Sequence, residues 1–84
     1  MINQHATDAD LETIEVSSSQ IKEIGHSAKN QALYIRFNNG SIYRYSPYTS
    51  VQWMEFKTAP SIGKYFYSSI KTNAGLPGIK IHNG

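Results

Sequence analysis

The stretch ALYIRFNNGSIYRY, residues 32–45, decides the fold of this 84-residue chain. On both sides of Asn38-Asn39-Gly40, side chains alternate between two faces with a period of two, which is typical of β-strands. Asn and Gly tolerate the positive φ angles that tight hairpin loops require. The stretch therefore predicts a β-hairpin.

The length of the hairpin loop determines which side chains share a face, because a slip of one residue exchanges the two faces. A two-residue loop would place Arg44 beside Ile35 in the core, which is costly for a charge without a partner. A three-residue loop with a bulge at Gly40 avoids this and predicts a buried inner face. That face holds Leu33, Ile35, Phe37, Tyr43 and Tyr45. The outer face, which we expect to be open to solvent, holds Tyr34, Arg36, Ile42 and Arg44.

Around this hairpin the sequence predicts one further strand and two helices. Residues 20–27 suit a strand with a bulge, and Thr49 with Gln52 forms a capping box for a helix over residues 50–59. Ser61 can cap a second helix. Its apolar stripe would be Ile62, Phe66 and Ile70. The predicted fold class is α+β: a three-stranded antiparallel β-meander followed by two helices packed on one sheet face.

Charge divides the chain into an acidic start and a basic body. Residues 1–15 contain four acids and no Lys or Arg, and we interpret them as an acidic flexible arm. From residue 16 onward, eight basic residues face two acids, a net charge of +6. Residues 16–72 form the predicted domain, and residues 73–84 a Gly/Pro loop with a possible short edge strand. A basic body favours phosphorylated or polyanionic ligands, or is a solvated lysine-rich surface.

Several function classes find no support in the sequence. The chain has no cysteine, its three histidines lack metal-ligand spacing, and no base–nucleophile pair emerges, so we expect neither a metal or other cofactor nor an enzyme. No targeting or membrane-spanning segment is evident, which favours a cytoplasmic protein. Because so short a chain buries little surface, we expect a homo-oligomer.

Three groups of residues are candidate binding sites, each with an ordinary structural alternative. Tyr34, Arg36 and Arg44 could grip a nucleotide, or form a plain solvent-facing sheet. Ser61, Gly63 and Lys64 could bind a phosphate, or Gly63 could simply let the helices pack closely. Trp53 and Phe56 could form an interaction surface or belong to the core.

Three patterns together resemble the KTSC domain: VxSSxIxxIG at 16–25, LxIxFxxGxxYxY at 33–45 and AxSxGxYFxxxI at 59–70. This family consists of small modules found alone in bacterial and phage proteins and at the C-terminus of some lysyl-tRNA synthetases. The resemblance implies no established catalytic activity, and RNA binding has been suggested for the family. His26 and Tyr67 depart from its usual pattern, which has an aromatic and a polar residue there.

The leading hypothesis is a non-catalytic binding module for a phosphate-bearing nucleotide. The family's distribution suggests one form of it, a phage protein that sequesters a nucleotide immune signal as a homo-oligomer. The alternatives are an RNA-binding module and a protein-interaction adaptor that uses Trp53 and Phe56.

Overall fold

The computed structural model describes residues 2–6 and 8–84, apart from the side chain of Asn3. Five strands form one antiparallel sheet in sequence order. They are β1 (Glu12–Glu15), β2 (Ile21–Ser27), β3 (Ala32–Phe37), β4 (Ile42–Tyr45) and β5 (Gly78–His82). The predicted α+β class is confirmed, but the predicted number of three strands is wrong. The short edge strand considered for residues 73–84 is present as β5. Strands β1 and β5 extend the sheet at its two edges.

The central hairpin has the predicted register. Leu33 pairs with Tyr45 and Ile35 with Tyr43 across β3 and β4. Gly40 adopts a φ of 92°, and its N–H donates to the Phe37 carbonyl, as a three-residue loop with a glycine bulge requires. The irregularity in β2 lies between Ile21 and Glu23.

Two helical segments cover the inner face of the sheet. Helix α1 (Ser50–Lys57) begins with the predicted capping box of Thr49 and Gln52. Helix α2 (Ile62–Tyr65) is capped by Ser61 and continues without a break as a π-helix, Phe66–Lys71. Between these helices and the sheet lies the main apolar core. Its most deeply buried members are Ile21, Ile24, Leu33, Ile35, Phe56, Phe66 and Ile70.

The outer face is not open, contrary to the prediction. A short 3-10 turn, Ile2–Gln4, leads the N-terminal residues across it, and Ile2 is completely buried there. A second apolar cluster on this face consists of Ile2, Ala32, Tyr34 and Ile42. The flexible arm expected for residues 1–15 is therefore wrong for the described residues. Their apolar side chains find a partner in the back of the sheet, and Glu12–Glu15 pair with β2 as β1.

Within the described part of the chain, no helix is long and apolar enough to cross a membrane.

Candidate functional site

A cleft opens on the inner side of the sheet, between the end of the β3–β4 hairpin and the π-helix. Its volume is about 500 Å³, within the range of small-molecule sites. Five aromatic side chains line it, and we call it the aromatic cleft. They are Phe37, Tyr43, Tyr45, Phe66 and Tyr67. Polar walls come from Ser19, Gln20, Asn38, Asn39 and Ser41, and two lysines, Lys71 and Lys80, complete it.

The aromatic rings are fixed by contacts with one another. Phe37 meets Tyr43 and Phe66 edge-to-face, in both cases with ring centres 5.6 Å apart. Tyr45 packs on Phe66 at 5.8 Å, and its burial, with Tyr43 nearby, raises the pKa of its hydroxyl to about 12. Such edge-to-face pairs are favourable arrangements that hold ring orientations. The floor of the cleft is therefore rigid and apolar.

Tyr67 forms the exposed rim of this floor. Its side chain is 38% exposed, and its hydroxyl donates a hydrogen bond to Gln20 Oε1. This bond ties the π-helix to the segment before β2. One ring of the cleft is thus both held in place and accessible to solvent.

Two lysines stand beside the rings of the cleft. The Lys71 ammonium lies 4.8 Å from the centre of Tyr67, and the Lys80 ammonium lies 5.7 Å from the centre of Tyr43. Lys80 reaches Tyr43 because β5 pairs with β4 in the register Tyr43–Lys80. Both distances permit a cation–π contact.

Among the residues that the structure describes, no acidic side chain is paired with either lysine. The aromatic cleft has no Asp or Glu in its lining. Among the described residues, the ion pairs are Arg36–Glu23 and Lys57–Glu12, so neither Lys71 nor Lys80 has an acidic partner there. The lining of the aromatic cleft consequently carries two positively charged side chains and no negatively charged one.

A second depression continues from the aromatic cleft past Tyr67. We call it the serine groove, and it shares Ser19, Gln20 and Tyr67 with the cleft. Its remaining lining is Ser17, Ser18, Pro60, Ser61, Ile62, Gly63, Lys64 and Ser68. The two depressions together form one continuous surface without acidic residues.

The structure places the predicted Ser61, Gly63 and Lys64 together in the serine groove. The Ser61 hydroxyl accepts from the Lys64 N–H at 3.4 Å and so caps its own helix. A Cβ atom on Gly63 would lie 3.0 Å from Ser18 Oγ. Gly63 therefore allows the serine segment, rather than the other helix, to approach α2 closely.

Tyr34, Arg36 and Arg44 lie on the opposite face of the sheet. Tyr34 is only 1% exposed, so its prediction as an open ligand platform is wrong. Arg36 lies 3.9 Å from the buried Glu23 carboxylate, and Arg44 Nε donates to the Tyr34 hydroxyl at 3.1 Å. These three residues are not in contact with the aromatic cleft.

Trp53 and Phe56 belong to the core and form no interaction surface. Trp53 is 4% exposed and Phe56 is fully buried. The Trp53 ring stacks on His26 with ring centres 5.4 Å apart, and His26 Nε2 lies 2.7 Å from the Tyr48 carbonyl oxygen. His26 thus fills, with another flat ring, the place where the resemblance implies an aromatic residue.

None of the residues that line the aromatic cleft was predicted as a binding residue, among them Gln20, Tyr67, Lys71 and Lys80. The spacing of four between Tyr67 and Lys71, on the helix predicted to follow Ser61, was an available signal. The position of Lys80 depends on the pairing of β5 with β4, which no local pattern reveals. Among the described residues, no cluster of three or more His, Asp or Glu could hold a metal ion.

The fold and cleft define a small α+β domain with a five-stranded meander and helices on one face. A family model described as the KTSC domain matches residues 17–73, and the chain belongs to this family. The crystal structure of a KTSC domain protein from Yersinia pestis is similar, with a TM-score of 0.76 and 32% sequence identity. The match covers 86% of this chain and 99% of that one. No curated protein matches this chain.

Proposed function

We propose that this chain is a non-catalytic binding module for a phosphate-bearing nucleotide, held in the aromatic cleft. One observation carries the proposal: two exposed lysines flank accessible aromatic rings, and no carboxylate lines the site. A nucleotide combines a flat ring with negative charge, which are the two properties that this lining complements.

The two parts of a nucleotide have separate partners in the cleft. A base can stack on the partly exposed Tyr67, because base–aromatic stacking needs no particular base edge. Lys71 and Lys80 stand at the same rings and can donate charge-assisted hydrogen bonds to a phosphate. Gln20 and Asn38 offer polar groups at the periphery.

The serine groove lengthens the site. Lys64 and several serine hydroxyls can donate hydrogen bonds to further phosphate or ribose oxygens of a ligand that extends past Tyr67. A ligand with more than one phosphate, or with two nucleosides, would occupy both depressions.

The family's occurrence in phage supports one specific form of the proposal, in which the chain captures a nucleotide immune signal stoichiometrically. Such a protein needs affinity but no catalytic group. Its small size and the position of β1 and β5 at the two edges of the sheet favour self-association. Native mass spectrometry of the purified protein tests this form, because it reports the oligomer mass and any carried ligand together.

Isothermal calorimetry with a panel of cyclic and ADP-ribose-type nucleotides tests the binding function. We expect saturable heat with at least one member of the panel. The double variant Lys71→Ala/Lys80→Ala should weaken that affinity at least tenfold, because hydrogen bonds to charged groups contribute about 1.5–3 kcal/mol each.

Arg36→Ala/Arg44→Ala is the matched control, since it removes two positive charges from the opposite face. Its affinity should stay within about twofold of the wild type, because screening weakens charges that are distant from the ligand. Absence of heat across the panel would overturn the proposal. Equal losses in both double variants would show that net charge, rather than the cleft, attracts the ligand.

RNA binding is the second candidate, favoured by the continuity of the cleft and the groove past the exposed Tyr67. A single strand could follow this surface, with bases on aromatic rings and phosphates on Lys64, Lys71 and Lys80. A salt titration distinguishes the two candidates. RNA affinity should fall steeply as salt rises because counterions are released from several phosphates, whereas a small nucleotide should respond less.

A further inference from the structure

The N-terminal residues dock on the outer face through one apolar anchor. Ile2 is fully buried, and its backbone N–H donates to Glu23 Oε1 at 3.0 Å. The Ile2 side chain packs against the sheet beside Gly25, where a Cβ atom would lie at an ordinary contact distance of 3.6 Å from Ile2 Cδ1. After this anchor, Asp8 meets Tyr34 on β3 and Asn30 in the turn before it, and Asp10 meets Ser27 and Lys29.

The Asp8 carboxylate is held by two donors that belong to the domain itself. Its Oδ2 accepts from the Tyr34 hydroxyl, and its Oδ1 accepts from the Asn30 side-chain amide. Tyr34 is almost completely buried, so its hydroxyl position is fixed by the sheet. One donor for each oxygen is the arrangement that suits a planar carboxylate.

Arg44 strengthens Tyr34, one of these two donors. Its Nε donates to the Tyr34 hydroxyl oxygen at 3.1 Å, and its guanidinium carbon lies 5.8 Å from the centre of the Tyr34 ring. A hydroxyl that accepts from a cation is a better donor, since hydrogen bonds in a chain polarise one another. Among the described residues Arg44 has no ion pair of its own, so its charge is available to an anion at Tyr34.

We propose that Tyr34, Asn30 and Arg44 form a carboxylate-binding site that the chain fills with its own Asp8. The donors lie in the sheet and in the turn before β3, whereas the acceptor lies on the N-terminal segment that crosses the outer face. A carboxylate from outside, either a free small molecule or the Asp8 of a second copy, takes the same place when the segment is displaced. This site lies on the face opposite the aromatic cleft and does not depend on the proposed function.

The test uses the full chain with Asp8→Ala, which empties the site. Sodium acetate is titrated at constant ionic strength, and the NMR signals of the Asn30 side-chain amide and Arg44 Nε are followed. We expect saturable shifts with an apparent affinity at least tenfold higher than in the wild type. Tyr34→Phe added to Asp8→Ala should abolish them.

Asp10→Ala is the matched control, because Asp10 bonds Ser27 and the Lys29 N–H instead and leaves Asp8 in place. It should gain no acetate binding. Should Asp8→Ala not fold, Asp8→Asn keeps the side-chain shape, and we expect it to bind acetate more tightly than the wild type. Acetate shifts that are equal in the wild type and the Asp8 variants, or that survive Tyr34→Phe, would overturn the proposal.

Sedimentation of the wild type over a concentration series then distinguishes the two sources of carboxylate. A dimer that Asp8→Ala abolishes supports the site and assigns it to a second copy. A constant monomer mass, together with acetate binding by Asp8→Ala, supports the site and assigns it to a free carboxylate.

Discussion

The Lys71 ammonium lies 4.8 Å from the centre of the Tyr67 ring, and the Tyr67 hydroxyl is bonded to Gln20 across the cleft. A charge and an accessible ring are thus held side by side on the π-helix. π-Helical turns are rare and occur frequently at functional sites. This pair is the most direct point at which to test the proposed nucleotide site.

Replacing Tyr67 should separate stacking from hydrogen bonding. Tyr67→Ala is expected to weaken nucleotide affinity by about 1–3 kcal/mol, the usual value of one base–aromatic stack. Tyr67→Phe keeps the ring and loses only the bond to Gln20, so its affinity should remain close to the wild type. Calorimetry on both variants checks this. Equal losses of nucleotide affinity in Tyr67→Ala and Tyr67→Phe would mean that the hydroxyl, and not the ring, contacts the ligand.

Gly78 is required by the Tyr45 ring. A Cβ atom at Gly78 would lie 2.5 Å from Tyr45 Cε2, and Tyr45 is buried and cannot move away. We expect Gly78→Ala to lower the free energy of unfolding by about 1–3 kcal/mol, as overpacking does. Urea denaturation measures it.

Gly75→Ala is the control for this prediction, because a Cβ there meets only Asn73 Oδ1 at 3.4 Å. Its unfolding free energy should change by less than about 0.5 kcal/mol. If Gly78→Ala were as stable as Gly75→Ala, the contact between β5 and Tyr45 would be looser than described.

Trp53 stabilises the core, so its replacement should act on stability first. Trp53→Ala is expected to cost about 3–5 kcal/mol, as other large-to-small core substitutions do. Met54, its neighbour on α1, is 56% exposed, and Met54→Ala should change stability by less than about 0.5 kcal/mol. Urea denaturation of both variants checks the difference. A small effect of Trp53→Ala on stability would contradict its role in the core and support Trp53 as an interaction residue.

The stability of the protein should decrease in mild acid because His5 stacks on His82. Their ring centres are 3.7 Å apart, and desolvation, the neighbouring His82 and Arg36 lower the pKa of His5. The folded chain therefore binds fewer protons than the unfolded chain. The contribution of neutral His5 to the free energy of unfolding is fully present above the pKa of about 6.5 that His5 has in the unfolded chain. This contribution is lost as the pH falls below that value.

Urea midpoints at pH 8 and pH 5.5 measure this dependence. His5→Gln should show a smaller decrease between the two pH values than the wild type. An unchanged decrease in His5→Gln would assign the pH dependence to other groups.

The sequence by itself determined the central hairpin and the start of both helices. Asn38-Asn39-Gly40 fixed the register, because only a three-residue loop separates Arg44 from the apolar face. Thr49 with Gln52 and Ser61 marked the helix starts, since their side chains bond the first free N–H groups. These features depend on residues that are close together in the chain, so a local pattern suffices to predict them.

Only the tertiary structure decided which faces are exposed and where a ligand could bind. Tyr34 was placed correctly on the outer face, but its burial depends on Ile2, 32 positions earlier in the chain. The aromatic cleft likewise joins Tyr43, Tyr67 and Lys80 through a helix and the last strand. Contacts between distant segments are set by how the elements pack together, and the period of one segment carries no information about which other segment will cover it.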